Sequence, residues 1–487
     1  MIELLDVSYA YLDDSVYDVK QVDLTIGTGE FVVLTGKSGC GKTTITRIIN
    51  GLAAKFYEGR LTGRVLVDSE DLNNSPLWKI GREIGSIFQD PRSQFFASLT
   101  EDELAFGCEN YGIDRLLIEE RIKNAVREIN GENLIGRDIY PMSSGEKQKI
   151  AIASIYAVNP GIYVFDEPSA NLDMASVIKL RDLMGVLKKS GATIVVAEHR
   201  LYYLTGLADR FIFMEDGHLI KEFSPKQIEE MKIEEKERMG LRTGNLQVCT
   251  GQLPYILTHD KPSVQIDSLT FSYGKNEIFS GLSLKAYSGD VIALIGPNGV
   301  GKSTLGQILC GLLKEISGSV SYNRNKVTSK KRRKKAYYVM QNTDCQLFGE
   351  SVREELALNQ TSQNEQEIEE VLRRYGLWEY RERHPASLSG GQKQRLTLAV
   401  ADIIDTDILI LDEPTSGLDG ENMRIISEHL KQLSRKGKTL FVVTHDYEFA
   451  VATCNRALQL LKGCCHMDFN INKNEKLLLS CMQEREK

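Results

Sequence analysis

GKSGCGKTT at Gly36–Thr44 decides how this chain folds, and a second copy, GPNGVGKST, stands at Gly296–Thr304. Each follows a continuous apolar run, FVVLT at Phe31–Thr35 and VIALI at Val291–Ile295. Such runs read as buried parallel strands, and the glycines after them open a tight turn into a helix. Working outward, four further features recur in the same order. FQD around Gln89 matches MQN around Gln341, and SSGEKQ at Ser143–Gln148 matches LSGGQKQ at Leu388–Gln394. VFDEP ending at Pro168 matches ILDEP ending at Pro414, and His199 matches His445. The offset is 260 residues at Lys42 and Lys302, 252 at Gln89 and Gln341, and 246 at Gly145/Gly391, Glu167/Glu413 and His199/His445. A constant offset through the last three marks a duplication, with small deletions upstream in the second copy.

The glycine-rich turn has a physical job. Its backbone N–H groups and the following helix N-terminus wrap nucleotide phosphates, which needs glycine's steric freedom. Gly36, Ser38, Gly39, Gly41 and Thr44 form the first cradle, and Gly296, Asn298, Gly299, Gly301 and Thr304 the second. Lys42 and Lys302 reach the β- and γ-phosphates, while Thr43 and Ser303 put a hydroxyl on Mg²⁺. IYVFDE and ILILDE are apolar strands ending in two carboxylates. Asp166 and Asp412 are expected to meet Mg²⁺, directly or through water. Glu167 and Glu413 then orient or deprotonate the attacking water. His199 and His445 end the apolar strands TIVVA and TLFVVT. A lone histidine after a strand is usually a polar cap. Repetition at the glutamate's own offset points to catalysis.

With these residues assembled, the chain resembles a tandem ATP-binding cassette (ABC) ATPase over residues 1–225 and 263–465. The S-G-G-Q signature separates that family from other P-loop enzymes, and Leu388–Gln392 match it fully. The resemblance implies an α/β fold of two P-loop cassettes. Each has a RecA-like core, an antiparallel β subdomain and an α-helical signature subdomain. It implies ATP and Mg²⁺ as ligands, with Gln89 and Gln341 joining the Mg²⁺ site. In the family two cassettes pack head to tail, so Ser389, Gly390, Gly391 and Gln392 would complete the first site, and Ser143, Gly145 and Glu146 the second. Tyr11 and Tyr273 fit the aromatic that stacks on adenine. SANLD at Ser169–Asp173 and SGLD at Ser416–Asp419 fit the loop between cassettes. One departure is Ser144, where the family has glycine. Because Glu413 and His445 are kept, both sites are read as active.

Composition agrees with this reading. The 487 residues would suggest about three domains, but the repeat fixes two of about 220 each. The expected division is cassette 1–225, linker 226–262, cassette 263–465 and a motif-free tail 466–487; within the linker, Pro225–Met239 reads as a short exposed helix and LPYILTHDKPS as an extended stretch ending near Ser263. A net charge of −7 leaves no overall nucleic-acid footprint. No apolar run approaches the roughly 18–20 residues that span a bilayer, and MIELLDVSYAY does not read as a signal peptide. Nine scattered cysteines point to a reducing cytosol. Cys40, beside Lys42 and a helix N-terminus, is expected to be a reactive thiol. KKRRKK at Lys330–Lys335 reads as an exposed loop, with anionic lipid or RNA as its alternative partners. Cys464, Cys465 and His466 lack the spacing of a zinc site.

The segments after each Q-loop glutamine narrow the resemblance. Gln89 opens QDPRSQFF, leading into LTEDELAFGCENYGI; Gln341 opens QNTDCQLFGESVREELAL. A turn, a second glutamine (Gln94, Gln346), an aromatic pair or Leu-Phe, and an acidic helix resemble the ATPases of energy-coupling factor importers. That likeness implies an integral membrane coupling subunit and a small substrate-binding membrane protein as partners. It implies a place on the cytoplasmic face of the membrane and uptake of a vitamin or transition-metal ion. Thr343 departs from the usual proline. The alternatives are a fused sugar-importer ATPase and a soluble, translation-associated ABC ATPase. Two intact glutamates argue against the first, and a short linker of mixed charge against the second.

Overall fold

Strand alternation explains how the first copy builds its core. On β3 (Phe31–Gly36), β7 (Ile162–Asp166) and β8 (Thr193–Ala197), successive side chains point to opposite faces. Phe31, Val33, Tyr163, Phe165, Ile194 and Val196 join one buried cluster. Val32, Leu34, Ile162, Val164, Val195 and Ala197 join another. Both faces are covered, which is why these strands are written as unbroken apolar runs.

In this computed structural model, which describes residues 1–11, 17–251, 261–358, 364–404 and 406–483 (residue 54 by its backbone), the chain divides into two units. They are Met1–Asn245 with Asp419–Glu421, and Leu246–Leu418 with Asn422–Lys487. The first unit begins with β1 (Ile2–Tyr11) and β2 (Val19–Ile26), then β3, α1 (Lys42–Ile49), α2 (Leu52–Lys55), β4 (Gly59–Val67) and β5 (Glu70–Asp71). After α3 (Leu77–Glu83) and β6 (Ile84–Ile87) come three helices, α4 (Thr100–Asn110), α5 (Arg115–Glu128) and α6 (Ser144–Val158). β7, α7 (Met174–Lys189), β8, β9 (Arg210–Glu215) and β10 (His218–Phe223) follow, then α8 (Pro225–Glu229) and α9 (Ile233–Arg238). A four-stranded sheet has the order β2-β1-β4-β5, and a six-stranded sheet β10-β9-β3-β8-β7-β6. In the large sheet β3 runs parallel to β8 and β9, with Phe31 opposite Ile194 and Val32 opposite Arg210. The cluster holding Phe31 also takes Leu104, Val126, Ile150 and Leu180 from α4, α5, α6 and α7. The other takes Ile2, Leu4, Val22 and Val65 from the small sheet and Ile45 and Ile49 from α1.

The second unit repeats this plan. Its elements are β11 (Val264–Tyr273), β12 (Asn276–Ala286), β13 (Val291–Ile295), α10 (Lys302–Leu309), β14 (Ser317–Tyr322), β15 (Asn325–Lys326), α11 (Ser329–Arg332) and β16 (Ala336–Val339). They continue as α12 (Val352–Ala357), α13 (Glu365–Arg374), α14 (Gly390–Ile403), β17 (Ile408–Asp412), α15 (Gly420–Arg435) and β18 (Thr439–Val443). The chain closes with α16 (Tyr447–Thr453), β19 (Arg456–Leu461), β20 (Cys464–Asn470) and α17 (Glu475–Gln483). Its sheets run β12-β11-β14-β15 and β16-β17-β18-β13-β19-β20, so the strand neighbours are those of the first unit. Among the described residues no helix is long and apolar enough to cross a membrane.

Four local readings of the sequence meet the structure differently. The single exposed helix expected over Pro225–Met239 is two short ones, α8 and α9, with Ile228 and Met239 buried. Most of the LPYILTHDKPS stretch falls in 252–260, outside the described residues. KKRRKK is not a plain loop: it carries the one-turn α11, and Arg332 is fully buried against Glu315. The expected tail has structure because its apolar residues have somewhere to go. β20 pairs antiparallel with β19, Leu461 opposite Cys464 and Arg456 opposite Asn470, and runs through the 465/466 boundary. Cys464 and His466 are exposed, while Cys465 between them is half-buried, as a strand's alternation dictates.

Leu478 on α17 is fully buried, with Cys481 and Met482 beside it. Leu478→Ala should therefore destabilise the second unit by about 2–5 kcal/mol, as in other buried leucine truncations. Chemical denaturation followed by fluorescence checks this; a shift below about 0.5 kcal/mol, normal for a surface site, would mean the helix is not part of the core.

Candidate functional site

Parallel strands deliver the site's residues to one edge. β3 ends in the phosphate loop, β7 in Asp166 and Glu167, and β8 runs into His199. The loop needs glycine: at Gly36 φ is 149° and a Cβ would stand 2.2 Å from Met214 O. At Gly41, φ 99°, it would stand 2.6 Å from Asp18 O. Buried Lys42 donates from Nζ to Gly36 O at 3.1 Å and Lys37 O at 2.9 Å, holding its ammonium over the loop. Glu167 adopts φ 43°, sparsely populated for a side chain of this size, and its N–H donates to Ala197 O at 2.9 Å. That turn presents the carboxylate to Gln89, whose Nε2 donates at 2.8 Å, and to His199 Nε2 at 3.2 Å. Burial pushes the Glu167 carboxyl up, but His199 and Lys42 outweigh it and hold it below its ordinary value.

Thr43 Oγ1 donates to Asp166 Oδ1 at 2.8 Å. Burial first, and then the Glu167 charge, push Asp166 up to about 6. Two hard oxygen donors and a carboxylate that resists ionising alone fit a divalent cation, which would relieve that cost. Mg²⁺ characteristically takes only one or two protein oxygens beside substrate phosphates.

The second unit repeats the arrangement with changes of partner. Lys302 Nζ donates to Gly296 O and Pro297 O, both at 2.8 Å. Glu413, φ 48°, donates its N–H to Val443 O at 2.9 Å, and His445 Nε2 lies 3.5 Å from Glu413 Oε1. Here Tyr338 OH donates to Asp412 Oδ2 at 2.5 Å, and burial followed by the Asp412 charge pushes the phenol far up. The first unit has Ser86 at this place, taking a hydrogen bond from Asn50 instead. Gln341 is exposed.

The signature residues open helices. Ser143 and Ser389 are N-caps of α6 and α14, each closing a capping box with Glu146 or Gln392. Burial raises the Glu146 carboxyl, but hydrogen bonds from Ser143 and Arg137 outweigh this and lower it. A Cβ at Gly145 would stand 2.7 Å from Ser176 Oγ, and one at Gly391 2.8 Å from Asn422 Oδ1. At Gly390, the counterpart of Ser144, a Cβ meets nothing within 4 Å. Ser144 therefore fits without any change in packing.

The Q-loop turns hold residues that the sequence reading passed over. Gln94 is only 9% exposed; it accepts from Phe88 N–H at 3.4 Å and donates to Ala151 O at 3.5 Å. Gln346 accepts from Met340 N–H at 2.9 Å and donates to Tyr338 O at 2.7 Å. Both glutamines spend their amides on holding the turn, Gln94 as a buried side chain and Gln346 as a half-buried one. Buried Glu103, on α4, accepts from Phe96 N–H and Ala97 N–H, each at 2.9 Å. Buried Glu355, on α12, accepts from Phe348 N–H at 2.7 Å and Gly349 N–H at 2.6 Å. Their common offset of 252, equal to that of Gln89 and Gln341, was the available signal. Each carboxylate fixes a turn that puts one phenylalanine into solvent, Phe96 77% and Phe348 79% exposed. Phe95 and Leu347 are half-buried, and Phe95 packs on the core.

Of the two tyrosines expected on adenine, Tyr273 is 49% exposed and meets Phe271 edge-on at 5.0 Å. Tyr11 is engaged: its hydroxyl accepts from Arg47 at 2.8 Å, and Tyr9 and Tyr57 meet it edge-on. Among the described residues no cluster of three or more His, Cys, Asp or Glu side chains could hold a metal.

Comparison with known proteins gives this geometry a family. The ABC transporter family model matches residues 19–170 and 279–416. A provisionally named ABC transporter ATP-binding protein of Treponema denticola is 41% identical over 485 residues, 98% of each chain. One of Methanosarcina mazei is 32% identical over 515 residues, 95% of this chain and 87% of the relative. Among solved structures, an archaeal ribosome recycling factor in complex with a ribosomal stalk protein gives a TM-score of 0.67 at 22% identity, covering 98% of this chain and 92% of that one. The RNase-L inhibitor gives 0.66 at 22%, covering 98% and 93%. At that identity the likeness shows the fold: two ATP-binding cassettes of mixed parallel and antiparallel sheet.

Cys40 corrects the expectation of a reactive thiol. It is buried in the core cluster behind the loop, and burial pushes the thiol up by more than the nearby Lys42 pulls it down. Thiol labelling of the native chain read by mass spectrometry should modify exposed Cys345 first, with Cys40 slower by about tenfold or more. Equal rates for the two would show that Cys40 is accessible after all.

Proposed function

Because the chain belongs to the ATP-binding cassette family and hydrolyses ATP, we propose that it is the energy-supplying subunit of an energy-coupling factor type importer. In this reading it binds the cytoplasmic face of the membrane through an integral coupling subunit that works with a small substrate-binding membrane protein. The cargo class is a vitamin or a transition-metal ion. One observation carries the reading: in both units the same device, a glutamine bonded to the turn's backbone and a buried glutamate beside it, leaves a single phenylalanine in solvent. An exposed aromatic on a rigid mount, beside a catalytic loop, is what a coupling partner can grip. Thr343 in place of proline leaves the turn intact. Asn342 Oδ1 accepts from Asp344 N–H at 3.1 Å, as Asp90 Oδ1 accepts from Arg92 N–H at 3.0 Å in the first unit.

The chemistry assigned to the chain follows from the geometry. Lys42 and Lys302, with the loop amides, bind and orient the β- and γ-phosphates. Thr43, Gln89 and Asp166 would hold Mg²⁺ in one site, and Ser303, Gln341 and Asp412 in the other, where it would neutralise charge on the phosphate oxygens. Glu167 and Glu413 take a proton from the attacking water; His199 keeps Glu167 ionised and aimed, and His445 is set against Glu413 in the same way. Gln89, bonded to Glu167 and leading directly into the turn that carries Phe96, links partner contact to hydrolysis.

Glu167→Gln together with Glu413→Gln should keep ATP binding and lower steady-state hydrolysis by about 10²–10⁴-fold. Wild-type turnover in that double variant would remove both glutamates from the mechanism. Phe96→Ser with Phe348→Ser should release the chain from its membrane complex and end uptake, with basal ATPase and the melting temperature kept. Retention in the detergent-solubilised membrane complex would refute the docking assignment. Co-sedimentation of the native chain with ribosomes instead of membranes would favour the translation-associated class.

A further inference from the structure

The two units differ most in charge between the first strand of the small sheet's hairpin and the Q-loop strand. From β4 to the start of β6 the first unit has Arg60, Arg64, Lys79 and Arg82 against Asp68, Glu70, Asp71 and Glu83. From β14 to the start of β16 the second has eight Lys and Arg and no acid, and the next carboxylate is Asp344. In a chain of net charge −7, this is a concentrated positive patch.

The structure shows how the patch is held. Arg332, fully buried, pairs with Glu315 and donates to Val327 O at 3.2 Å. Arg333 Nε donates to Gly311 O at 3.0 Å. At Gly311, φ 76°, a Cβ would stand 2.1 Å from Ser329 O, so only glycine allows this approach. These contacts fasten the stretch after α10 to α11. The same stretch leaves Leu312 51% and Ile316 65% exposed. On β15, α11 and the residues after α11, Lys326, Lys330, Lys331, Lys334 and Lys335 are all exposed, and among the described residues none of the five is in an ion pair.

We propose that this face of the second unit rests on an anionic lipid bilayer. The lysines meet the headgroups, and Leu312 and Ile316 enter the interface. Neither signal suffices alone, since stable attachment to a lipid surface takes apolar insertion together with a basic cluster. The apolar pair favours a bilayer over RNA: single-stranded RNA is gripped by aromatic stacking, and the two exposed side chains here are aliphatic. The proposal goes beyond the importer reading, because it needs lipid and no membrane protein.

The test is flotation of the full chain with protein-free vesicles of phosphatidylcholine, alone or mixed with phosphatidylglycerol. Binding is expected only to the mixed vesicles and should fall as salt is raised. Replacing Lys330, Lys331, Lys334 and Lys335 with Gln should weaken it about 5-fold per cation, several hundred-fold together. Leu312→Ser with Ile316→Ser should also weaken it while leaving ATPase unchanged. Arg332 stays untouched because it is structural, and melting temperature checks that each variant folds. No binding to anionic vesicles, or equal binding by the four-lysine variant, overturns the proposal. Competition by millimolar inorganic phosphate would assign the patch to a free anion, and preferential binding of an RNA oligomer would assign it to nucleic acid; either result overturns it. Phe96→Ser with Phe348→Ser should not affect vesicle binding, so the two proposals fail separately.

Discussion

The backbone hydrogen bond from Glu167 N–H to Ala197 O, with its counterpart from Glu413 to Val443, is the constraint on which each site depends. It extends the parallel ladder one residue past the end of β7 or β17, into a left-handed conformation that a glutamate rarely adopts. The ladder fixes where that backbone is, and the turn fixes where the carboxylate goes. His199 and His445 come from the neighbouring strand in the same register, so glutamate and histidine are set against each other by the sheet itself. Little of this geometry is left to loop mobility.

A second constraint is electrostatic. Asp166 and Glu167 stand side by side in a buried place that also receives Lys42 and His199, and those neighbours act on both carboxyls. The glutamate stays ionised because its histidine neighbour favours that form. Burial and the Glu167 charge push the aspartate the other way, a cost that a bound cation would relieve. In the second unit Tyr338 already donates to Asp412, which shares the burden differently. Two copies of one motif therefore start from unequal electrostatics, although every motif residue is present in both.

Much of the fold was legible because buried parallel strands leave the plainest trace in a sequence. FVVL, IYVF and IVVA are unbroken apolar runs since both faces of the sheet are covered, and each leads into residues of recognisable chemistry. Features settled by distant partners were less legible. CCHMDFN has no such run, since β20 pairs on one side only and alternates. Arg332 hides inside six consecutive cations, and its partner Glu315 is 17 residues earlier. Cys40 has a lysine neighbour that suggests activation, and only the packing reveals that desolvation wins. TEDELA and VREELA look like solvated helix starts, yet Glu103 and Glu355 face inward to hold a turn.

Those two inward glutamates separate what is mounted from the mount. Neither Phe96 nor Phe348 contributes its side chain to the hydrogen bonds that shape its turn; only its backbone N–H does. The side chain exposed at each of these positions can therefore change without disturbing the hydrogen bonds that shape its turn, whereas Glu103 and Glu355 have no such freedom, because each carboxylate holds two backbone N–H groups.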